Sequence, residues 1–341
     1  MATKTLKVRV KDKHIPDLEK QAKSVNFVWN YVNQLSHRSI KEKGKFLSTY
    51  DIHEYTTGAS KLIGLHSQTI QLVTKEYVTR RIQFKKAKLA WRKSSGTHKS
   101  LGWIPFNTDA AEWKNGQVYF NKNYYKVWDS YGLSKYTFKS GSFNEDARGR
   151  WYFNVVVEIP DTKSEGTGSI GIDLGCKTAI TTSDGQTLTG RHYRAYEKKL
   201  AKAQRANKKK QTQNIHAKIK NKRNDEYQKL TTKLVKENSA IFVGDVSSTK
   251  LVKTKQAKSV LDAAWGKFKT MLKYKCDSAD VVFDVIDEKY TTVTCSCCKK
   301  RSGPSGLEGL RIREWTCCEA VSLTTATLMP QRTFSRSDMS V

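Results

Sequence analysis

Apolar and polar residues alternate from Thr5 to Val10, with Leu6, Val8 and Val10 on one side. A period of two is the signature of a half-buried strand. From Pro16 and Asp17 the period lengthens: Val25, Val28, Trp29, Val32 and Leu35 recur at helical spacing. A second helical stretch is predicted from about Ser67 to Trp91, with Lys75, Arg80, Arg81, Lys85, Lys86, Lys88 and Arg92 on its polar sides. Residues 11–95 therefore read as a basic helical module. At Ser94-Ser95-Gly96 the character changes. Leu101–Asn107, Gly116–Trp128, Tyr136–Phe143 and Trp151–Ile159 are strand-like, punctuated by Gly132, Gly141, Asp146, Gly149 and Pro160. Residues 1–10 and 96–161 are thus expected to form a small antiparallel β-barrel or sheet, with the helical module inserted between them.

Residues 162–168 are polar and Gly-containing, the composition of a linker. Three short strands are expected next, over Ser169–Gly175, Thr178–Thr182 and Gln186–Thr189. His192–Asn238 reads as a long basic helical region, Ile241–Val246 as a buried strand, Lys258–Lys275 as a helix and Val281–Asp287 as a further strand. The order βββ-α-β-α-β over residues 169–294 is that of an RNase H-like sheet. The fold class expected is therefore α/β, in a multi-domain chain.

Charge sharpens this picture. The 341 residues carry 62 Lys and Arg against 32 Asp and Glu, a formal net charge of +30. Between Arg191 and Ala240 the balance is 16 basic residues to 4 acidic ones. Clustered cations gain free energy by releasing counterions condensed on a phosphate backbone, so a polyanionic partner is expected. The candidates for that contact are Lys198, Lys199, Lys202, Arg205, Lys208, Lys209, Lys210, Lys218, Lys220, Lys222 and Arg223. The bland reading of the same run is a solvated helix face. No stretch of 18 or more apolar residues occurs, and Met1–Val10 lacks the apolar core of a signal peptide. A chain in a reducing compartment, associated with the nucleoid and with no membrane partner, is the expectation.

Two sets of residues suggest chemistry. Asp173 lies in a strand between Gly171 and Gly175, where small neighbours let a ligand approach the backbone. A carboxylate so placed can hold Mg²⁺, which activates water in metal-dependent nucleases. Gly-Ile-Asp-Leu-Gly also opens the ATP lobe of actin-like ATPases. That reading expects the motif near the N-terminus and further phosphate loops downstream, and the chain has neither. The second set is Cys295, Cys298 and Cys317, spaced as three ligands of a Cys-x2-Cys-x18-Cys-x2-Cys zinc site. The fourth position holds Ala320, and Cys318, adjacent to Cys317, is a poorly placed substitute.

The Gly171–Gly175 motif, Val243-Gly244-Asp245-Val246-Ser247-Ser248, Tyr290–Cys298, Gly303-Pro304 and Leu310–Cys317 together resemble the transposon-encoded TnpB (OrfB) family, related to the Fanzor proteins and the type V CRISPR nucleases. The resemblance implies an RNA-guided DNA endonuclease. Helical and barrel domains would hold a guide RNA, and a Mg²⁺-dependent RuvC-like domain with an inserted zinc ribbon, here residues 295–320, would cut double-stranded DNA. Asp173 takes the place of a catalytic carboxylate.

Two departures bear on activity. Much of the family has Glu where this chain has Gly244; Asp245 next to it would face the other side of the strand. A branch of the family carries the carboxylate later, and Glu288 fits that role. The family also ends in Cys-Gly followed by His-Asp-Arg-Asp-x-Asn-Ala-Ala-x-Asn-Ile, whereas this chain runs Glu319-Ala320-Val321-Ser322-Leu323-Thr324-Thr325-Ala326-Thr327. One inserted base before codon 320 would restore the family's ending, with the last carboxylate at the place of Thr327. The expectation is a frameshifted tail over 321–341, poorly ordered, an incomplete zinc site and impaired cleavage. A nuclease-dead RNA-guided DNA-binding protein is the alternative.

Overall fold

The computed structural model describes residues 2–160, 163–246, 251–254, 257–286, 300–301, 303, 314–317 and 322–325. The chain divides into two compact units, Met1–Ile159 and Pro160–Val341.

The first unit begins with β1 (Ala2–Val10), followed by helices α1 (Ile15–Lys43), α2 (Thr49–Thr56), α3 (Ala59–Ile63) and α4 (Ser67–Phe84). Strands β2 (Trp103–Phe106), β3 (Ala111–Lys114), β4 (Gln117–Phe120), β5 (Asn123–Tyr125), β6 (Val127–Trp128), β7 (Phe138–Glu145) and β8 (Trp151–Ile159) follow. One antiparallel sheet has the order β2-β7-β8-β1-β6, and β3-β4-β5 form a second. The predicted alternation is realised: Leu6, Val8 and Val10 of β1 and Phe153, Val155 and Val157 of β8 are buried. Val25, Val28 and Val32 of α1 enter the same apolar cluster as Ile104, Phe106 and Phe153. The helices and the sheet therefore share one core.

The helix predicted to reach Trp91 stops at Phe84, because Lys85 turns left-handed at φ 51°. Residues 89–92 instead run extended beside α1, where Asn33 bonds both the N–H (3.0 Å) and the C=O (2.8 Å) of Leu89. Asn30 does the same for Arg92, at 2.9 Å each way. These amides satisfy backbone groups that a continued helix would have paired internally.

The second unit contains β9 (Gly168–Asp173), β10 (Ile180–Thr182), β11 (Thr187–Leu188), α5 (His192–Arg205), α6 (Lys209–Glu237) and β12 (Asn238–Gly244). Helices α7 (Ala257–Ala263) and α8 (Trp265–Ala279) and strand β13 (Val282–Ile286) complete its layers. The sheet order is β11-β10-β9-β12-β13. β10 is antiparallel to both β9 and β11, whereas β9, β12 and β13 run parallel. Parallel neighbours need crossovers, and the α5–α6 pair and the α7–α8 pair supply them. Ile170 and Ile172 of β9 and Ile241 and Val243 of β12 pack in one cluster with Tyr227, Leu234, Phe268 and Leu272 of the helices. The single helix predicted over Lys258–Lys275 is broken at Ala264, which sits left-handed at φ 49°.

Of the tail expected to lose order from Val321, only β15 (Ser322–Thr325) is described; Val321 and residues 326–341 lie outside the described residues. This strand runs antiparallel to β14 (Glu314–Cys317), with Cys317 level with Ser322. Leu323 and the β-branched Thr324 and Thr325 suit a strand.

Candidate nucleic-acid and metal site

Asp173 is the last residue of β9, the central strand, and pairs with Thr181 across β10. In the neighbouring parallel strand Val243 is level with Ile172, so Gly244 falls level with Asp173; Gly244 in turn pairs with Ile286. Three adjacent parallel strands thus end together. Successive side chains in a strand face opposite ways. Ile170 and Ile172 enter the core beneath the helices, so half-buried Asp173 faces the other side, as Gly171 does. A residue at the level of Gly244 would stand beside that carboxylate, and glycine leaves the place without a side chain.

Asp245 is placed differently. Its carboxylate meets Lys269 Nζ of α8 at 3.0 Å, on the side that carries the helical core. Its backbone N–H donates to Ile286 O at 2.7 Å and extends the β12–β13 pairing. The structure therefore does not bring Asp245 to the face of Asp173. Glu288 lies outside the described residues, two positions after the end of β13. Cys295, Cys298 and Cys318 also lie outside them, and Cys317 is described only as part of β14. Among the described residues no group of three or more His, Cys, Asp or Glu side chains could hold a metal ion.

The basic candidates lie on the α5–α6 hairpin. Lys198, Lys199, Lys202, Arg205, Lys208, Lys209, Lys210, Lys218, Lys220 and Lys222 are all exposed. Arg223 is the exception. Its Nη1 donates to Leu261 O at 3.2 Å and to Asp262 O at 3.0 Å, so it fastens α6 to the end of α7. Lys218 and Lys222 hold their ammonium groups 5.6 and 5.7 Å from the ring centroid of Tyr196. Desolvation opposes ionisation of that phenol, but the hydrogen bond from Lys222 and the two ammonium charges outweigh it and lower its pKa.

Sequence reasoning missed Asp262. This buried carboxylate accepts the N–H groups of Tyr193 (2.8 Å) and Arg194 (3.3 Å), at the start of α5. The helix has no capping side chain of its own, with Arg191 in the N-cap position. The long separation from residue 193 to residue 262 hid this partner; the only local signal was the absent cap.

Comparisons with known proteins first give the class. The OrfB_IS605 family model, described as "Probable transposase", matches residues 152–255. The Cas12f1-like TNB domain model matches residues 265–323. The first match holds the Asp173 strand and the basic hairpin, and the second holds the cysteine segment, so the resemblance to OrfB-type transposases stands. The chain is 32% identical over 243 residues to a "Putative RNA-guided DNA endonuclease" of Streptomyces pristinaespiralis, a match covering 65% of this chain and 60% of the relative. It is 23% identical over 181 residues to the "Putative RNA-guided DNA endonuclease InsQ" of Escherichia coli K12, covering 44% of this chain and 45% of InsQ. The chain thus spans about three fifths or less of the length of these curated relatives. A solved Cas12f1–sgRNA–target DNA complex aligns with 98% of this chain and 99% of its own, at 13% identity and a TM-score of 0.39.

Proposed function

We propose that this chain is an RNA-guided DNA-binding protein of the OrfB type, built around an RNase H-like (RuvC) nuclease sheet whose cutting is impaired. The observation that carries the reading is Asp173. It ends the central strand of a sheet ordered β11-β10-β9-β12-β13, on the face turned away from the helices. The exposed cations of the α5–α6 hairpin supply the electrostatics for guide RNA and target DNA, the partners that the names of the relatives suggest. The barrel, helical and zinc-ribbon assignments of residues 1–161 and 295–320 belong to the same proposal.

The fit to metals is partial. Asp173 offers one carboxylate, and Gly244 beside it offers none. Glu288 is the second Mg²⁺ ligand in this reading, and a bound Mg²⁺ would activate water for phosphodiester hydrolysis. Asp245, ion-paired to Lys269, is not assigned that role. Cys295, Cys298 and Cys317 would hold Zn²⁺ with a borrowed fourth ligand, and therefore weakly. The family's last carboxylate falls at the position of Thr327, which cannot replace it.

Three proteins test the proposal: this chain, a chain restored to the alternative reading frame after Cys318, and the Asp173→Ala variant of that restored chain. Each is assayed with Mg²⁺, the cognate guide and target DNA. The expected result is guide-dependent binding by all three and cleavage by the frame-restored chain alone. Guide-independent binding, or cutting that survives Asp173→Ala in the restored chain, would overturn the reading. Sequencing the locus after codon 318 tests the frameshift directly.

A further inference from the structure

A hollow of about 450 Å³ opens between the α5–α6 hairpin and α7. Tyr193, Ile219 and Leu261 give it an apolar lining, and Lys220, Arg223 and Lys258 stand around it. Leu261 is 61% exposed, so it presents apolar surface at the hollow to an occupant. Lys220 is exposed at the rim. Lys258, ion-paired with Glu197, lies 5.1 Å from the ring centroid of Tyr193. The carboxylate of Asp262, also in the wall, is occupied by the N–H groups of α5. Arg223 keeps a buried Nε–H with no hydrogen-bond partner among the described residues. That donor is closed off from solvent, so what the hollow offers an occupant is its apolar wall and its lysines.

We propose that this hollow receives one unpaired nucleotide of the bound strand, its base against Tyr193, Ile219 and Leu261 and its phosphate at Lys220. The inference rests on the nucleic-acid reading above and deepens it. Apolar walls suit the face of a base, which stacks with little regard to sequence. Lys218 and Lys222 of the same helix add further positive charge at Tyr196, so the surroundings suit a polyanionic strand and not a basic or neutral peptide surface. A base paired within a duplex could not present its face here, so the site selects single-stranded segments.

The test uses the full chain and single-stranded oligonucleotides bearing 5-iodouracil. Photocrosslinking of the unaltered protein is expected to map to Tyr193 by peptide mass spectrometry. In anisotropy titrations Tyr193→Leu and Leu261→Ser are each expected to weaken single-strand binding about tenfold, the scale of one stacked base, and to leave duplex binding unchanged. Charge reversal at Lys208, Lys209 and Lys210 should weaken both. Crosslinks that fall elsewhere, or equal losses for single strand and duplex in the hollow variants, overturn the proposal while the hairpin reading stands. If the charge reversal also has no effect, the wider reading fails. Self-association lost in Leu261→Ser would make the hollow a contact between copies and equally overturn the proposal.

Discussion

The carboxylate of Asp262 accepts the backbone N–H of Tyr193 at 2.8 Å, 69 residues away in the chain. It caps α5 from outside. Removing a capping acceptor costs about 1–2 kcal/mol, and leaving buried N–H groups unpaired adds to that. Asp262→Ala is expected to destabilise the second unit by about 2–3 kcal/mol on those grounds. Asp262→Asn, which retains an acceptor oxygen, should lose less. Urea unfolding followed by far-ultraviolet circular dichroism measures both.

The triple substitution of Lys208, Lys209 and Lys210 by Glu removes exposed charge from the turn and start of α6. For every phosphate that these side chains no longer neutralise, the slope of log K against log salt should become shallower by about 0.7–0.9. Filter binding of RNA from low to moderate salt reads this slope. An unchanged slope would show that the three lysines do not meet phosphate.

At Gly141 in β7 an added Cβ would fall 2.3 Å from Asn154 O and 2.4 Å from Phe106 Cζ. Both obstacles belong to packed elements, so neither yields cheaply. Gly141→Ala should cost about 1–3 kcal/mol, the usual range for overpacking a core. Thermal melts of the variant against the parent chain give the comparison.

Alkaline pH should loosen the second unit. Burial pushes the Tyr227 phenol up to about 12, with the charge of Arg223 opposing the shift. Burial likewise pushes the Cys276 thiol up to about 12, with a smaller contribution from Asp277. Both groups are neutral in the core and ionise more readily once unfolded. Stability should therefore be full below the ordinary thiol value, roughly 8.5, and fall as pH rises past it and past the ordinary phenol value near 10. Tyr227→Phe, which also gives up the bond to Ala263 O, should flatten this alkaline decline. Melting temperatures measured between pH 7 and pH 11 would reveal it.

Much of this arrangement was legible in the sequence because it is written in local periods. The alternation of Leu6, Val8 and Val10 and the helical spacing of Val25, Val28 and Val32 both lead to buried faces. Asp173 was legible because glycines flank it, and the lysines because they cluster. What escaped depends on distant partners. The end of α4 at Lys85 follows from asparagines on α1, and the break at Ala264 is a left-handed residue with no glycine to announce it. Arg223 reads like its basic neighbours until Leu261 and Asp262 present their carbonyls. Short elements such as α2, α3 and β3 carry too few periods to register.

Asn26, Asn30 and Asn33 recur along one face of α1 and hold the extended segment that follows α4. Their amides carry no charge and do not titrate, so ionic strength and acidity hardly touch this seam. A chain with thirty surplus positive charges can then surrender its cations to a polyanion, or take them back, without unstitching the body that displays them. Along this seam the backbone of Leu89 and Arg92 is held by neutral amides, while most of the cations stay free for attraction.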